Sequence, residues 1–93
     1  MDAGIWINEL QTIVARDSAY VGPHGDPLAH VYGVASQLRD IASTDRQREA
    51  IAIAVAEFKR WFKEKPSATA EVRERERRDL MAAIAGLRRE YDA

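Results

Sequence analysis

The sequence contains no cysteine, which excludes a disulfide framework, a thiolate zinc site and a cysteine nucleophile. It also lacks any apolar run near the roughly 20 residues that a membrane-spanning helix needs. The N-terminus carries Asp2 and no basic start, so the pattern of a signal peptide is missing as well. From these absences we expect a cytoplasmic protein without a membrane span.

Proline and glycine are few, with three and five in 93 residues. Two of each lie in segment 20–27, which must therefore be a loop. Pro66 and the polar segment 43–45 mark two further breaks. Between the breaks, apolar residues recur at intervals of three and four, as in amphipathic helices. The spacing predicts a single all-α domain over 1–93, bundle-like and up-down, with a long, charged C-terminal helix: helices about 4–19, 27–42, 45–64 and 68–91.

The third predicted helix has a wide apolar face. Ile51, Val55, Phe58 and Phe62 form one stripe, so we expect this helix to be covered on more than one side and to be central in the fold. Hydrophobic residues make up 46% of the chain, which is enough for a folded core. The apolar stripe of the first helix is Trp6, Leu10, Ile13 and Val14. That of the second is Leu28, Val31, Ala35, Leu38 and Ala42, and that of the fourth is Leu80, Ile84, Leu87 and Tyr91.

Three helix starts are marked by capping residues. Asp26 precedes Pro27, which is a favourable pair for the N-cap and the first helical position. Thr44 stands three residues before Gln47, the spacing of a capping box. Ser67 is the predicted N-cap of the fourth helix.

The first half of the fourth helix is the least expected part of the chain, because Arg73 and Arg77 occupy the positions that continue its apolar stripe. Pairs of opposite charge four residues apart, such as Glu74 and Arg78, can support a helix without core contacts. We therefore expect these turns to project past the core, or to run along its rim with only Ala70 and Val72 touching it.

Residues suited to catalysis are sparse. His24, Asp26 and His30 are the only group that suggests a metal site or an acid–base pair, and their spacing matches no recognised ligand pattern. The serines lie in no nucleophile-elbow context, and the sequence has neither a phosphate-binding loop nor a dinucleotide fingerprint. We expect no enzymatic activity, no metal and no cofactor.

Net charge is −1, but its distribution is uneven. Residues 1–58 hold four basic and eight acidic side chains, whereas residues 59–93 hold ten basic and seven acidic ones. A basic surface near Trp61 is therefore an alternative site for nucleic acid. The acidic side chains of the fourth helix oppose this interpretation, and no helix-turn-helix is recognisable. The residues of this alternative surface are Lys59, Arg60, Lys63 and Arg75.

Our main expectation is a binding protein that docks on a larger protein or protein complex through the fourth helix and the 20–27 loop. A homodimer is a further expectation, in which a second copy covers Val34, Ile41 or Ile53. Small cysteine-free helical proteins without catalytic residues are common among phage and mobile-element products, including inhibitors of bacterial complexes such as anti-CRISPR proteins. This expectation rests on the general type of protein, and no motif in this chain supports it. The predicted partner-binding residues are Tyr20, His24, Arg73, Glu74, Arg77 and Arg78.

Overall fold

The fold contains four α-helices, seen in a computed structural model that describes residues 3–15, 27–64 and 69–92, without the side chains of residues 63 and 64. No strand is present in these segments, so the all-α prediction is confirmed. Residues 16–26, with the predicted loop, and Ser67 lie outside the described residues. The helices are α1 (Ala3–Ala15), α2 (Pro27–Asp40), α3 (Asp45–Glu64) and α4 (Ala70–Asp92).

The helices form a ring around a common core. α1 packs mainly on α2 and α4, and α3 packs mainly on the same two helices. The antiparallel course of α3 and α4 is visible at both ends, since Gln47 contacts Glu90 and Trp61 contacts Arg73. As expected, α3 is covered on more than one side, by α2 and α4. It forms one side of the ring rather than its centre, because each of the four helices has its own apolar stripe and they can share one core.

The core contains most of the predicted apolar residues. In two helices the buried residue is the sequence neighbour of the one that was predicted. Ile7 is buried in place of Trp6, whose larger ring packs at the edge of the core. Trp61 is buried at 3% exposure, whereas Phe62 is only partly buried. The buried apolar residues are Ile7, Leu10, Ile13, Val14, Val31, Val34, Ala35, Leu38, Ile51, Ala54, Val55, Phe58, Trp61, Leu80, Ile84 and Leu87.

The start of α3 confirms the predicted capping box. The Gln47 backbone N–H donates to Thr44 Oγ1 at 3.1 Å, and the Thr44 N–H donates to Gln47 Oε1 at 3.1 Å. Gln47 Oε1 also accepts from the Ser43 N–H at 2.7 Å, and its Nε2 donates to the Glu90 carbonyl at 3.2 Å. One side chain thus caps α3 and also joins it to the last turns of α4.

The end of α4 is fixed to α2 by Tyr91. Its phenol donates a 2.5 Å hydrogen bond to the Leu38 carbonyl. Burial raises the pKa of the Tyr91 phenol above its ordinary value, and the positive charge of Arg48 offsets part of the rise. At the other end, the Val72 N–H donates to Thr69 Oγ1 at 3.2 Å, so Thr69 caps the start of α4.

Candidate functional site

The first half of α4 lies on α3, so the expectation that it projects past the core is wrong. The Arg73 guanidinium carbon stands 3.1 Å from the centre of the Trp61 ring. Arg73 Nη1 also donates to the Trp61 carbonyl oxygen at 2.6 Å. A cation over an indole face gains electrostatic attraction, and the aliphatic part of arginine packs well on an aromatic ring. Arg73 therefore continues the packing stripe of α4 where an apolar residue was expected.

Glu76 completes this contact from one turn further along α4. Its side chain is 3% exposed, with Oε2 3.8 Å from Arg73 Nη1 and Oε1 4.0 Å from Arg60 Nε. Arg60 in turn lies 3.8 Å from Glu57 and 3.8 Å from Asp79. The Arg60 pairs with Glu76 and Asp79 join α3 to α4, whereas Arg73–Glu76 lies within α4 and Arg60–Glu57 within α3. A carboxylate as buried as Glu76 would be costly without such cations. We call Trp61, Arg73 and Glu76 the clamp.

The contacts also differ from the rim arrangement that was expected. Ala70 is exposed and Val72 is only partly buried, so the contact with α3 is carried by Arg73 and Glu76. Arg73, a predicted partner-binding residue, is thus held against Trp61 and Glu76, with 17% of its side chain still exposed. Glu76 was missed as a structural residue, and its only signal in the sequence was its position at the edge of the α4 stripe.

With the clamp on one side, α4 exposes four charged side chains on the other. Glu74, Arg75, Arg77 and Arg78 are all exposed, and we call them the outer α4 face. None of them forms a hydrogen bond or ion pair with the part of the chain that the structure describes. The predicted pairing of Glu74 with Arg78 is therefore not made. With Glu71, which is exposed beside Glu74 and Arg78, this side of α4 presents three positive and two negative charges to solvent.

Two shallow depressions meet at the outer α4 face. Ala70 and Glu74 line both of them. The first lies between α4 and the end of α1, where Ala15 and Arg77 contribute to its wall, and the second is bounded by Arg75 and Arg78. The outer α4 face is therefore uneven, with concave surfaces on both sides of Glu74.

Tyr20 and His24, the other two predicted partner-binding residues, lie outside the described residues. Ala15, the last described residue before segment 16–26, lines the first depression together with Arg77. The described structure thus brings together Glu74, Arg77 and Arg78 from the predicted set.

The alternative basic residues face different neighbours. The Lys59 ammonium lies 5.5 Å from the centre of the Tyr32 ring on α2, whereas Arg60 faces three carboxylates on α3 and α4. Arg75 belongs to the outer α4 face, and the Lys63 side chain lies outside the described residues. The members that the structure describes do not form one continuous basic surface.

His30 is the one member of the group His24, Asp26 and His30 that the structure describes. Its Nε2 lies 3.6 Å from Glu9 Oε2 on α1, so the imidazole contacts the neighbouring helix. His24 and Asp26 lie outside the described residues. Within the described segments, no three side chains of the usual ligand types are grouped closely enough to hold a metal ion.

No protein-family model matches the chain, and comparisons with curated proteins and with solved structures found no match either. In the segments that the structure describes, none of the helices has both the length and the apolar character required to cross a bilayer. The class that the fold and site define is thus a four-helix protein in which the clamp joins α4 to α3 and the outer α4 face is exposed.

Proposed function

We propose that this chain is a non-enzymatic, cytoplasmic binding protein that docks on a larger protein through the outer α4 face. In this proposal it acts as an inhibitor or adaptor of a bacterial complex, of the type that phage and mobile elements encode, which includes anti-CRISPR proteins. The observation that carries the proposal is the set of four charged side chains without internal pairing, on a helix that the clamp holds in place.

Rigidity favours binding because a preorganised surface loses little conformational entropy when a partner binds. Arg73 and Glu76 fix the backbone that carries Arg75, Arg77 and Arg78. Interactions on a preorganised element lose less affinity to ordering than those on a mobile loop. Arginine also presents a planar fork of donors that recognises carboxylates with defined geometry.

The charge pattern indicates the chemistry of the partner. Three guanidinium groups lie beside two exposed carboxylates, Glu74 and Glu71, so the complementary surface carries acidic groups for the arginines and basic groups opposite the carboxylates. Such a pattern gives specificity and a faster association rate more than raw affinity. The two depressions beside Glu74 leave room for partner side chains on each side of it.

The same pattern favours protein over nucleic acid. A phosphate backbone would be repelled by Glu74 at the centre of the face. Arg60, which was expected to extend the basic surface, lies within 4.0 Å of three carboxylates. Protein binding is therefore the proposal, and the experiment must distinguish it from nucleic-acid binding.

The test is a charge exchange that leaves the net charge unchanged. Glu74→Arg combined with Arg78→Glu reverses the pattern of the outer α4 face. The matched control, Arg39→Glu with Asp40→Arg, exchanges two exposed charges on α2. Both variants change exposed residues only, so we expect each to keep its free energy of unfolding within about 0.5 kcal/mol of the wild type.

Tagged proteins are used to capture partners from a bacterial lysate with and without nuclease, and the captured protein is then purified for affinity measurement. We expect the wild type and the α2 control to bind the same protein equally well. The Glu74 and Arg78 exchange should weaken binding by about tenfold or more, because like charges then face each other across the interface. Equal binding by all three, or capture that disappears with nuclease, would contradict the proposal.

A further inference from the structure

A groove runs between α3 and α4 in the C-terminal half of α4, well along the helix from the outer α4 face. Its lining combines small residues, three alanines and one glycine, with Ile53, Leu87 and four charged side chains. The volume of the groove is about 310 Å³. Its lining residues are Arg46, Glu49, Ala50, Ile53, Ala82, Ala83, Gly86, Leu87, Arg89 and Glu90.

Ile53 is the apolar side chain that projects beside this groove. It is 51% exposed, although its neighbours on the same helix, Ile51 and Val55, are buried in the core. Of the three residues for which a covering second copy was expected, Val34 is buried in the core and Ile41 packs partly against it. Ile53 therefore remains as the member that the fold itself does not cover.

The α4 side of the groove is open because its residues are small. Ala82, Ala83 and Gly86 line it. A Cβ atom added at Gly86 would meet only the Arg89 guanidinium, at 3.6 Å, which is an ordinary contact. Internal packing therefore does not require glycine at this position, although glycine in a helix costs about 1 kcal/mol relative to alanine.

Four charged side chains surround the groove in equal numbers of each sign. Arg46 and Glu49 lie on α3, and Arg89 and Glu90 lie on α4. Their side chains form no hydrogen bond or ion pair with the residues that the structure describes. A partner surface of one sign would leave two of the four opposed by like charge, whereas a surface with both signs can pair all of them.

We infer that the groove is a homodimer interface that takes a second copy of this chain. In a two-fold contact the same patch is used by both copies, so it must contain both the projecting group and its receptor. This patch does: Ile53 of each copy enters the groove of the other, beside Ala82 and Gly86. The balanced charges at the rim are self-complementary in the same arrangement. The inference does not depend on the proposed function, because it concerns the other half of α4.

The experiment measures the mass of the purified full chain by sedimentation velocity over a range of concentrations. Wild-type protein should show a concentration-dependent dimer. Ile53→Glu places a charge at the centre of the interface and should raise the dissociation constant of the dimer by at least about tenfold. Ile5→Glu is the matched control, because Ile5 is 57% exposed on α1, and it should leave the constant unchanged.

Gly86→Leu provides a second variant that fills the groove without adding charge. It should also weaken the dimer, while circular dichroism shows the helical content of the wild type. A wild-type chain that stays monomeric at every concentration would overturn the inference, even if another protein were found to bind the groove. An unchanged constant in Ile53→Glu, or equal weakening by Ile5→Glu and Ile53→Glu, would overturn it as well.

Discussion

Replacing Arg73 by alanine should destabilise the fold strongly, although arginines on helix surfaces usually contribute little. The substitution removes the guanidinium from the Trp61 ring and deletes its 2.6 Å hydrogen bond to the Trp61 carbonyl. It also leaves the carboxylate of Glu76, 3% exposed, with Arg60 4.0 Å away as its remaining cationic neighbour within 4.0 Å among the described residues.

The magnitude follows from these three losses. A partly desolvated cation–π contact contributes about 1–2 kcal/mol, and a hydrogen bond from a charged donor about 1.5–3 kcal/mol. Removing one member of a buried ion pair costs about 3–5 kcal/mol where the remaining charge is uncompensated. Arg60 still compensates Glu76 in part, and contributions within one network do not add. We therefore expect a loss of about 3 kcal/mol in the free energy of unfolding.

Thermal and urea denaturation followed by circular dichroism measure this loss. About 3 kcal/mol corresponds to a decrease in Tm of roughly 10–20 °C for a domain of this size. Arg77→Ala, one helical turn away and exposed, is the control and should change the free energy of unfolding by less than about 0.5 kcal/mol. The reasoning would be refuted if Arg73→Ala were as stable as Arg77→Ala, because Arg73 would then contribute no packing.

Three further predictions concern single residues elsewhere in the fold. Gln47→Ala keeps the backbone bond to Thr44 Oγ1 but removes the side-chain bonds from the Ser43 and Thr44 N–H groups and to the Glu90 carbonyl, and should cost about 2 kcal/mol in urea denaturation; a change below about 0.5 kcal/mol would contradict the capping account. The raised pKa of Tyr91 means that the folded state favours the neutral phenol, so its contribution is complete below the unfolded pKa of about 10 and is lost as pH rises through the folded pKa. Alkaline pH should thus destabilise the wild type more than Tyr91→Phe, and identical pH profiles would disprove the link. Gly33→Ala should raise the free energy of unfolding by about 0.4–1 kcal/mol, because an added Cβ meets nothing within 4 Å; a lower Tm would contradict this.

The sequence predicted the parts of the fold that depend on local pattern. The Thr44 and Gln47 capping box is formed by residues three apart, so its geometry is set within one turn. The apolar stripe of Leu80, Ile84 and Leu87 is likewise a property of one helix. Neither depends on which helix lies opposite, and both are confirmed.

The features that were missed depend on how one helix is placed along another. Arg73 was expected to leave the core because a charge interrupts the apolar stripe of α4. Its actual partner, Trp61, is supplied by the turn of α3 that lies opposite, twelve residues away in sequence. The choice of Trp6 over Ile7 is a smaller error of the same kind, since a slight rotation of α1 decides which side chain faces the core.

The candidate site was predictable in part for the same reason. Glu74, Arg77 and Arg78 could be identified as charged positions on a helix, but their exposure follows from the placement of α4 on α3. The groove beside Ile53 was not predictable as a shape, because it is formed where Ala82 and Gly86 face α3. The exposure of Ile53 also depends on how the four helices pack, so the sequence alone does not show it.

Site-specific photo-crosslinking tests the central claim most directly. A photoreactive amino acid replaces Arg75 on the outer α4 face in one sample and Arg39 on α2 in another, both of which are exposed positions. After irradiation in a bacterial lysate, we predict one discrete protein adduct from position 75 that is absent from position 39 and survives nuclease. Adducts of equal yield from both positions, or an adduct at position 75 that nuclease removes, would contradict the account.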